Sequence, residues 1–412
     1  MNRNSFWAAA GRALAVILVL AVSVVTAVPA EAQVYKVLHT FTGGDGAWPY
    51  AGLIRVSSGA VFGTTWSGGD YGYGVVFKLN SKNKEIVIHS FAGYPTDGAN
   101  PRAPLVRDSA GNLYGTTVYG GSGTCNDGSG VGCGTIFKID ADGTETVLYD
   151  FTGGNDGAYP YAGLVRDSSG ALYGTAVGGG ASGVGTVFEL DAVGTFTVLD
   201  TFTGKNGANP YARLVRGPAG NFYGTTWAGG KYGYGVAFKW HVKSGKANVL
   251  YSFTGGADGA NPMAGVIRDA GGNLYGTTCK GGSPNCNDYF GYGCGTVFKL
   301  TPPTTPREGH TETVLYTFPG AGAGAHPFAG LARDPSTGNV FGTTYHGGAY
   351  GWGLVFKLDT NGAETVLYDF TNSHGDGGNP WAAPVRDGAG NLYGTAEEDN
   401  GYGIGVVFEI TP

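Results

Sequence analysis

Two cysteine pairs repeat one arrangement: "CNDGSGVGC" (Cys125 to Cys133) and "CNDYFGYGC" (Cys286 to Cys294) share the same spacing. Thiols so placed could bind metal, exchange electrons or close a loop. Zinc wants cysteines two to four residues apart or histidines close by, and neither is present. A redox pair more often reads C-x-x-C. Loop-closing disulfides are the remaining reading, each removing about 2.5 kcal/mol of loop entropy from the unfolded chain. Cys279 is left over after a "GTT" string and reads as a buried thiol, with a reactive or intermolecular thiol as the alternative.

A second set of residues could do acid–base chemistry or hold a metal. His326, His346 and His374 fall in late loops, and "AEEDNGYGIG" (Ala396 to Gly405) brings Glu397, Glu398 and Asp399. Drift of solvated loops would leave the same residues, so they are weak catalytic candidates. A G-x-S-x-G elbow, an H-E-x-x-H helix and a Walker loop are all lacking. The "GxGxxG"-like matches sit between strands and carry no nucleotide signal. No metal and no other cofactor is expected.

A third set is aromatic. Trp48, Trp66, Tyr73, Trp227, Tyr234, Trp352 and Trp381 fall in glycine-rich loops beside Asp and Asn. Flat apolar rings next to polar groups suit sugars, and the same composition would serve a protein partner. Rings in "YGYG" strings could equally pack over neighbouring loops.

These residues hang on a repeating frame. "YGT" or "FGT" begins at Phe62, Tyr114, Tyr173, Tyr223, Tyr275, Phe341 and Tyr393, at separations of 52, 59, 50, 52, 66 and 52 residues. "LVRD"-like, "VFKL"-like and "VLYSF"-like strings keep step with it. Each is short, β-branched and aromatic, and bounded by Gly, Asp, Asn or Pro, so each reads as a strand of four to six residues. Four strands per unit of about 50 residues point to a seven-bladed β-propeller, all-β, with antiparallel strands labelled a to d from the axis outward. The spare "VYKVLHTF" strand (Val34 to Phe41) is expected to complete the last blade beside "VVFEI" (Val406 to Ile410), which removes an open edge. The two cysteine pairs lie in enlarged b–c loops.

The composite pattern "NLYGTT", "GTVFKL", "TVLYSFTGG", "DGANPYAGLVRD" resembles the GloVer tandem repeat of exported bacterial proteins. The resemblance runs from about Val34 to Pro412 and implies secretion and a repeat architecture, with no assigned activity.

Composition agrees. Glycine reaches 78 of 412 residues, with a period that argues against disorder. A net charge of −6 argues against nucleic acid, which wants a basic stripe. Residues 1–32 read as a signal peptide: Arg3 and Arg12, an apolar run from Ala13 to Val28, then "AEA" before Gln33. The apolar run falls short of the roughly 20 residues a spanning helix needs. The mature chain is expected to be exported, periplasmic or extracellular, without a membrane span, and monomeric.

Linkers b–c and d–a are long and share one face, where function usually sits. The expected function is binding, of a polysaccharide or a cell-surface partner, through that face. The competing classes are a polysaccharide-acting enzyme with its site in the last two blades, and a purely structural extracellular protein. Asp-Gly pairs at Asp45, Asp97, Asp156, Asp258 and Asp376 read as turns, and the seven Arg residues ending strand a as structural.

Overall fold

The structure, a computed structural model, describes residues 33–411 apart from 129, 289–290, 306–308, 374 and 399–403. The candidate signal segment, His374, Asp399 and Tyr402 therefore lie outside the described residues. Seven four-stranded antiparallel sheets form the seven blades. Blade 1 runs Ile54–Arg55 (a), Val61–Thr65 (b), Val75–Leu79 (c) and Glu85–Ser90 (d). In blade 7, Val385–Arg386, Leu392–Ala396 and Val406–Thr411 are completed by Val34–Thr40, so the ring closes as the sequence predicts.

Blades are buried on both faces, which explains the near-continuous apolar strands. The Phe of every "VFKL" string, Phe77 through Phe408, is fully buried. It fits because the Gly of "YGT" lies opposite: a Cβ on Gly63 would stand 2.6 Å from the Phe77 ring. The first Thr of each "GTT" binds the next blade near the axis. Its Oγ1 donates to the carbonyl of an Ala in the next blade, as Thr64 does to Ala103 at 3.5 Å and Thr277 to Ala329 at 2.7 Å. Thr395 to Ala51, at 3.2 Å, carries this contact across the closure. Each such buried bond contributes roughly 1 kcal/mol.

The a strands are shorter than predicted, with only two paired residues each. Their leading Pro lacks a donor, and the following Ala carbonyl is taken by the Thr of the previous blade instead of by a ladder bond. Every d strand also carries a bulge, at Leu38, Ile88, Leu148, Leu199, Leu250, Leu315 and Leu367. A bulge turns the strand and re-aims the next side chain. That next residue is His39, His89, Tyr149, Asp200, Tyr251, Tyr316 or Tyr368. Where it is His or Tyr and its d–a loop carries an Asp, its polar tip meets that Asp: His89 Nε2 at 3.2 Å from Asp97, Tyr251 Oη at 2.9 Å from Asp258.

Loops b–c and d–a share one face, as shown by bridges such as Ala47 to Ser67 and Ala208 to Ala228. On the opposite face strand-a arginines pair with Asp of the preceding blade: Arg55 with Asp387 at 3.4 Å and Arg386 with Asp334 at 3.1 Å. Both cysteine pairs form disulfides, with Cα atoms 5.0 and 5.6 Å apart. Their sulfurs cover Gly153 and Gly320, left-handed at φ 82° and 81°. Tyr73 and Tyr234 cover the equivalent Gly93 and Gly255. The disulfide thus takes over the packing duty of a tyrosine in the two enlarged loops. Among the described residues no helix is long and apolar enough to cross a membrane.

Candidate functional site

Each blade enters strand a through an x-Pro-x tripeptide, such as Trp48-Pro49-Tyr50 or Asn100-Pro101-Arg102. The residue before Pro is left-handed in all seven, at φ 53–58°, a region Asn tolerates best. In four units Asn also donates from Nδ2 to a b–c loop carbonyl, as Asn261 does to Trp227 at 2.9 Å. The residue after Pro faces the axis. One repeat position therefore builds a ring: Tyr50, Arg102, Tyr161, Tyr211, Met263, Phe328 and Trp381, lining a cavity of about 340 Å³.

Arg102 is the one cation in this ring. Its guanidinium carbon lies 4.5 Å from the Trp381 ring centroid, 4.9 Å from Tyr50, 5.4 Å from Tyr161 and 5.7 Å from Trp66. Four aromatic faces around one cation stabilise it by about 1–2 kcal/mol. The cage is filled by the chain itself, so an external cation gains nothing there. Deeper in the same cavity, Arg213 replaces the Gly, Pro or Ala of the other units, and its Nε donates to Leu164 O at 3.0 Å. Water reaches it through the channel, yet protein surrounds it, and this desolvation lowers its pKa.

Glu397 begins the last b–c loop, at the repeat position of Trp66, Trp227, Cys279 and Tyr345. Tyr50 Oη donates to its Oε1 at 2.8 Å and Trp381 Nε1 to its Oε2 at 2.5 Å, with Tyr345 as a further donor. Burial pushes its carboxyl up, while these donors oppose the shift. Tyr50 is raised in turn, by burial first and then by the Glu397 charge. The mouth thus offers an aromatic ring, a guanidinium and a carboxyl that can give or take a proton.

The remaining predicted residues are scattered. His326 is fully buried, its Nδ1 2.8 Å from Cys279 O, in the place where other units use Asn. The His346 ring lies 6.3 Å from it, with Nδ1 3.2 Å from Asn379 Nδ2. Glu398 pairs its backbone with Gly378. Trp66, Trp227, Trp352 and Trp381 are half-buried. Trp48 is 40% exposed, and Tyr73 and Tyr234 are 45% exposed on the outer loops. Of the aromatic candidates only Trp66 and Trp381 reach the Arg102 cage. The sequence reading missed Arg102 and Arg213, while Tyr50 was among the aromatics it placed in the d–a loops. Aligning the residue after Pro across the units would have exposed Arg102 as its one charge.

Fold and axial mouth together define a β-propeller repeat protein. The Gloeobacter/Verrucomicrobia repeat matches residues 23–131, 123–290 and 286–412, and the chain belongs to that family. No match was found among the curated proteins. Among solved structures, the chain is similar to a putative 6-phosphogluconolactonase from Bacteroides uniformis, at 15% identity and TM-score 0.51, covering 82% of this chain and 88% of that one. It is also similar to a gluconolactonase from Xanthomonas campestris, at 14% identity and TM-score 0.42, covering 67% and 78%. A luciferin-regenerating enzyme matches at 12% identity and TM-score 0.43, over 92% and 95%. At these identities the likeness is one of fold.

Proposed function

We propose that the protein is an exported binding module that takes a carbohydrate bearing acidic groups at its axial mouth. One observation carries this reading: Arg102 is held against four aromatic rings with no described carboxylate in ion-pair reach. A guanidinium so fixed keeps its N–H edge for an acceptor-rich ligand, and bidentate pairing suits a carboxylate. The surrounding rings supply flat apolar surface for sugar C–H groups. Arg213, deeper in the cavity, adds a second positive charge on the same axis. Export is supported by the leader-like residues 1–32 and by the two disulfides.

The test is calorimetric titration with uronate-containing and neutral oligosaccharides of equal length. Binding of the acidic series, abolished in Trp381→Ala, supports the reading; failure of both series at millimolar concentration sinks it. Glu397 favours a second reading, because its raised carboxyl could protonate a leaving group. Appearance of cleaved product, lost in Glu397→Gln, would replace the binding module by an enzyme.

A further inference from the structure

We propose that the seam between blades 1 and 2 holds a divalent transition-metal ion, zinc or an ion of like preference, on His89, Asp97 and Glu145. His89 lies in the d strand of blade 1, just past its bulge, with its ring set edge-on to Phe91 at 4.8 Å. Asp97 comes from the loop that follows. Glu145 opens the d strand of blade 2 (Glu145–Asp150). One ligand atom from each lies within 4.8 Å of the others, and this is the one such group among the described residues.

The geometry is close to what the ion needs. Zinc at its usual bond lengths to nitrogen and oxygen sets tetrahedral ligand atoms ~3.3–3.5 Å apart. His89 Nε2 and Asp97 Oδ2 already stand at 3.2 Å. Glu145 stands within 4.8 Å of both and must close by up to about 1.5 Å, a movement of the order of a side-chain rotamer change. Asp97 is oriented for the task, since Ala92 N donates to its Oδ2 at 2.7 Å and Gly98 N to its Oδ1 at 2.6 Å. Such outer hydrogen bonds are what fix ligating carboxylates. A cleft lined by Asp70, Tyr71, His89 and Asp97 leaves room for a water as fourth ligand.

The site also has an unmet need. Glu145 Oε1 is buried with no hydrogen-bond partner, as are Glu85 Oε1 and Glu312 Oε1 at the equivalent positions, but among the described residues only here does a His and Asp pair stand within reach of it as one group. A cation on this group would give that oxygen a partner.

Other seams serve as internal comparisons. Between blades 4 and 5 the same positions hold Tyr251, Asp258 and Glu312, where the phenol donates to Asp258 at 2.9 Å. A neutral phenol is a poor metal ligand, whereas imidazole is a common one. The seam between blades 7 and 1 has His39, Asp45 and Glu85, with His39 Nε2 3.0 Å from Asp45. Its three ligand atoms are not drawn into one group.

These comparisons supply the variant. His89→Tyr installs the repeat's own residue, so the seam keeps its Tyr–Asp bond and the blades still pack. The full chain is stripped with chelator and titrated with Zn(II) by calorimetry, and with Co(II) by visible absorption. The expected result is one equivalent bound by the wild type, with the strong d–d bands of tetrahedral Co(II). His89→Tyr and Glu145→Gln should each weaken uptake at least 100-fold, while metal-free His89→Tyr unfolds at the wild-type denaturant concentration. His39→Tyr should leave uptake unchanged. The proposal is overturned if the wild type binds no Zn(II), if His89→Tyr binds as tightly as wild type, or if His39→Tyr abolishes binding instead.

Discussion

Tyr50 and Glu397 are separated by 347 positions in the chain, yet the Tyr50 hydroxyl donates to the Glu397 carboxylate at 2.8 Å. The contact joins blade 1 to blade 7 at the axial mouth. It exists only because the ring closes, so the mouth's chemistry depends on the fold as a whole and not on one loop.

Arg102→Met tests the caged cation. The repeat already carries Met at this position, at Met263, so the variant is expected to fold. Loss of the cation–π contacts should cost about 1–2 kcal/mol of unfolding free energy. Affinity for acidic oligosaccharides should fall at least tenfold, with neutral ones unaffected. Calorimetry beside urea unfolding separates the two effects, and unchanged acidic-sugar affinity would remove Arg102 from the site.

Removing the first disulfide by Cys125→Ser with Cys133→Ser should destabilise the chain by about 2.5 kcal/mol if loop entropy dominates. A larger loss is expected if the sulfurs' cover of Gly153 matters as well, because the glycine is then left open. Urea midpoints of the oxidised wild type, the reduced wild type and the double variant distinguish these terms.

Glu312 gives a pH dependence of definite sign. Burial first, and the nearby Asp258 second, raise its carboxyl to about 7, and its Oε1 is buried without a partner. An acid whose folded pKa is raised binds its proton more tightly when folded. Its seam is therefore most favourable below the unfolded pKa of about 4.3, and loses stability as pH rises towards 7. Glu312→Gln should flatten that decline. Unfolding midpoints measured from pH 4.5 to 7.5 check it, and an identical slope in the variant refutes the assignment.

Cys279 is 2% exposed, its Sγ donates to Asn261 O at 3.0 Å, and burial pushes its thiol up to about 12. A thiol so placed holds almost no thiolate at neutral pH. An aromatic disulfide reagent should leave it untouched in the native protein and react with one equivalent after unfolding. Rapid native labelling would restore the reactive-thiol alternative.

The blade plan was readable because each strand string recurs with its own bounding turns, and the Val34 strand lacks partners anywhere but the last blade. The short a strands were not readable, because the Thr that replaces their ladder bonds belongs to the previous unit. The d-strand bulges were hidden too, since "VLYSF" reads as an even strand until its pairing with "VFKL" is known. At the site, Trp66 and Trp381 could be picked by residue type. Arg102 could not, because one arginine in a loop carries no signal until seven loops are laid on one axis. His89 and Glu145 meet only across a seam between blades, a relation that spacing along the chain does not encode.

The strand that finishes the ring precedes every other strand of the propeller in the sequence, and its partner follows all of them. Val34–Thr40 can pair with Val406–Thr411 only after every intervening blade has been made. Closure therefore joins the two most distant strands of the propeller, the kind of non-local pairing that slows folding. Deleting Val406–Thr411 should leave the Val34 strand without its partner, and size-exclusion chromatography should then show association with other copies.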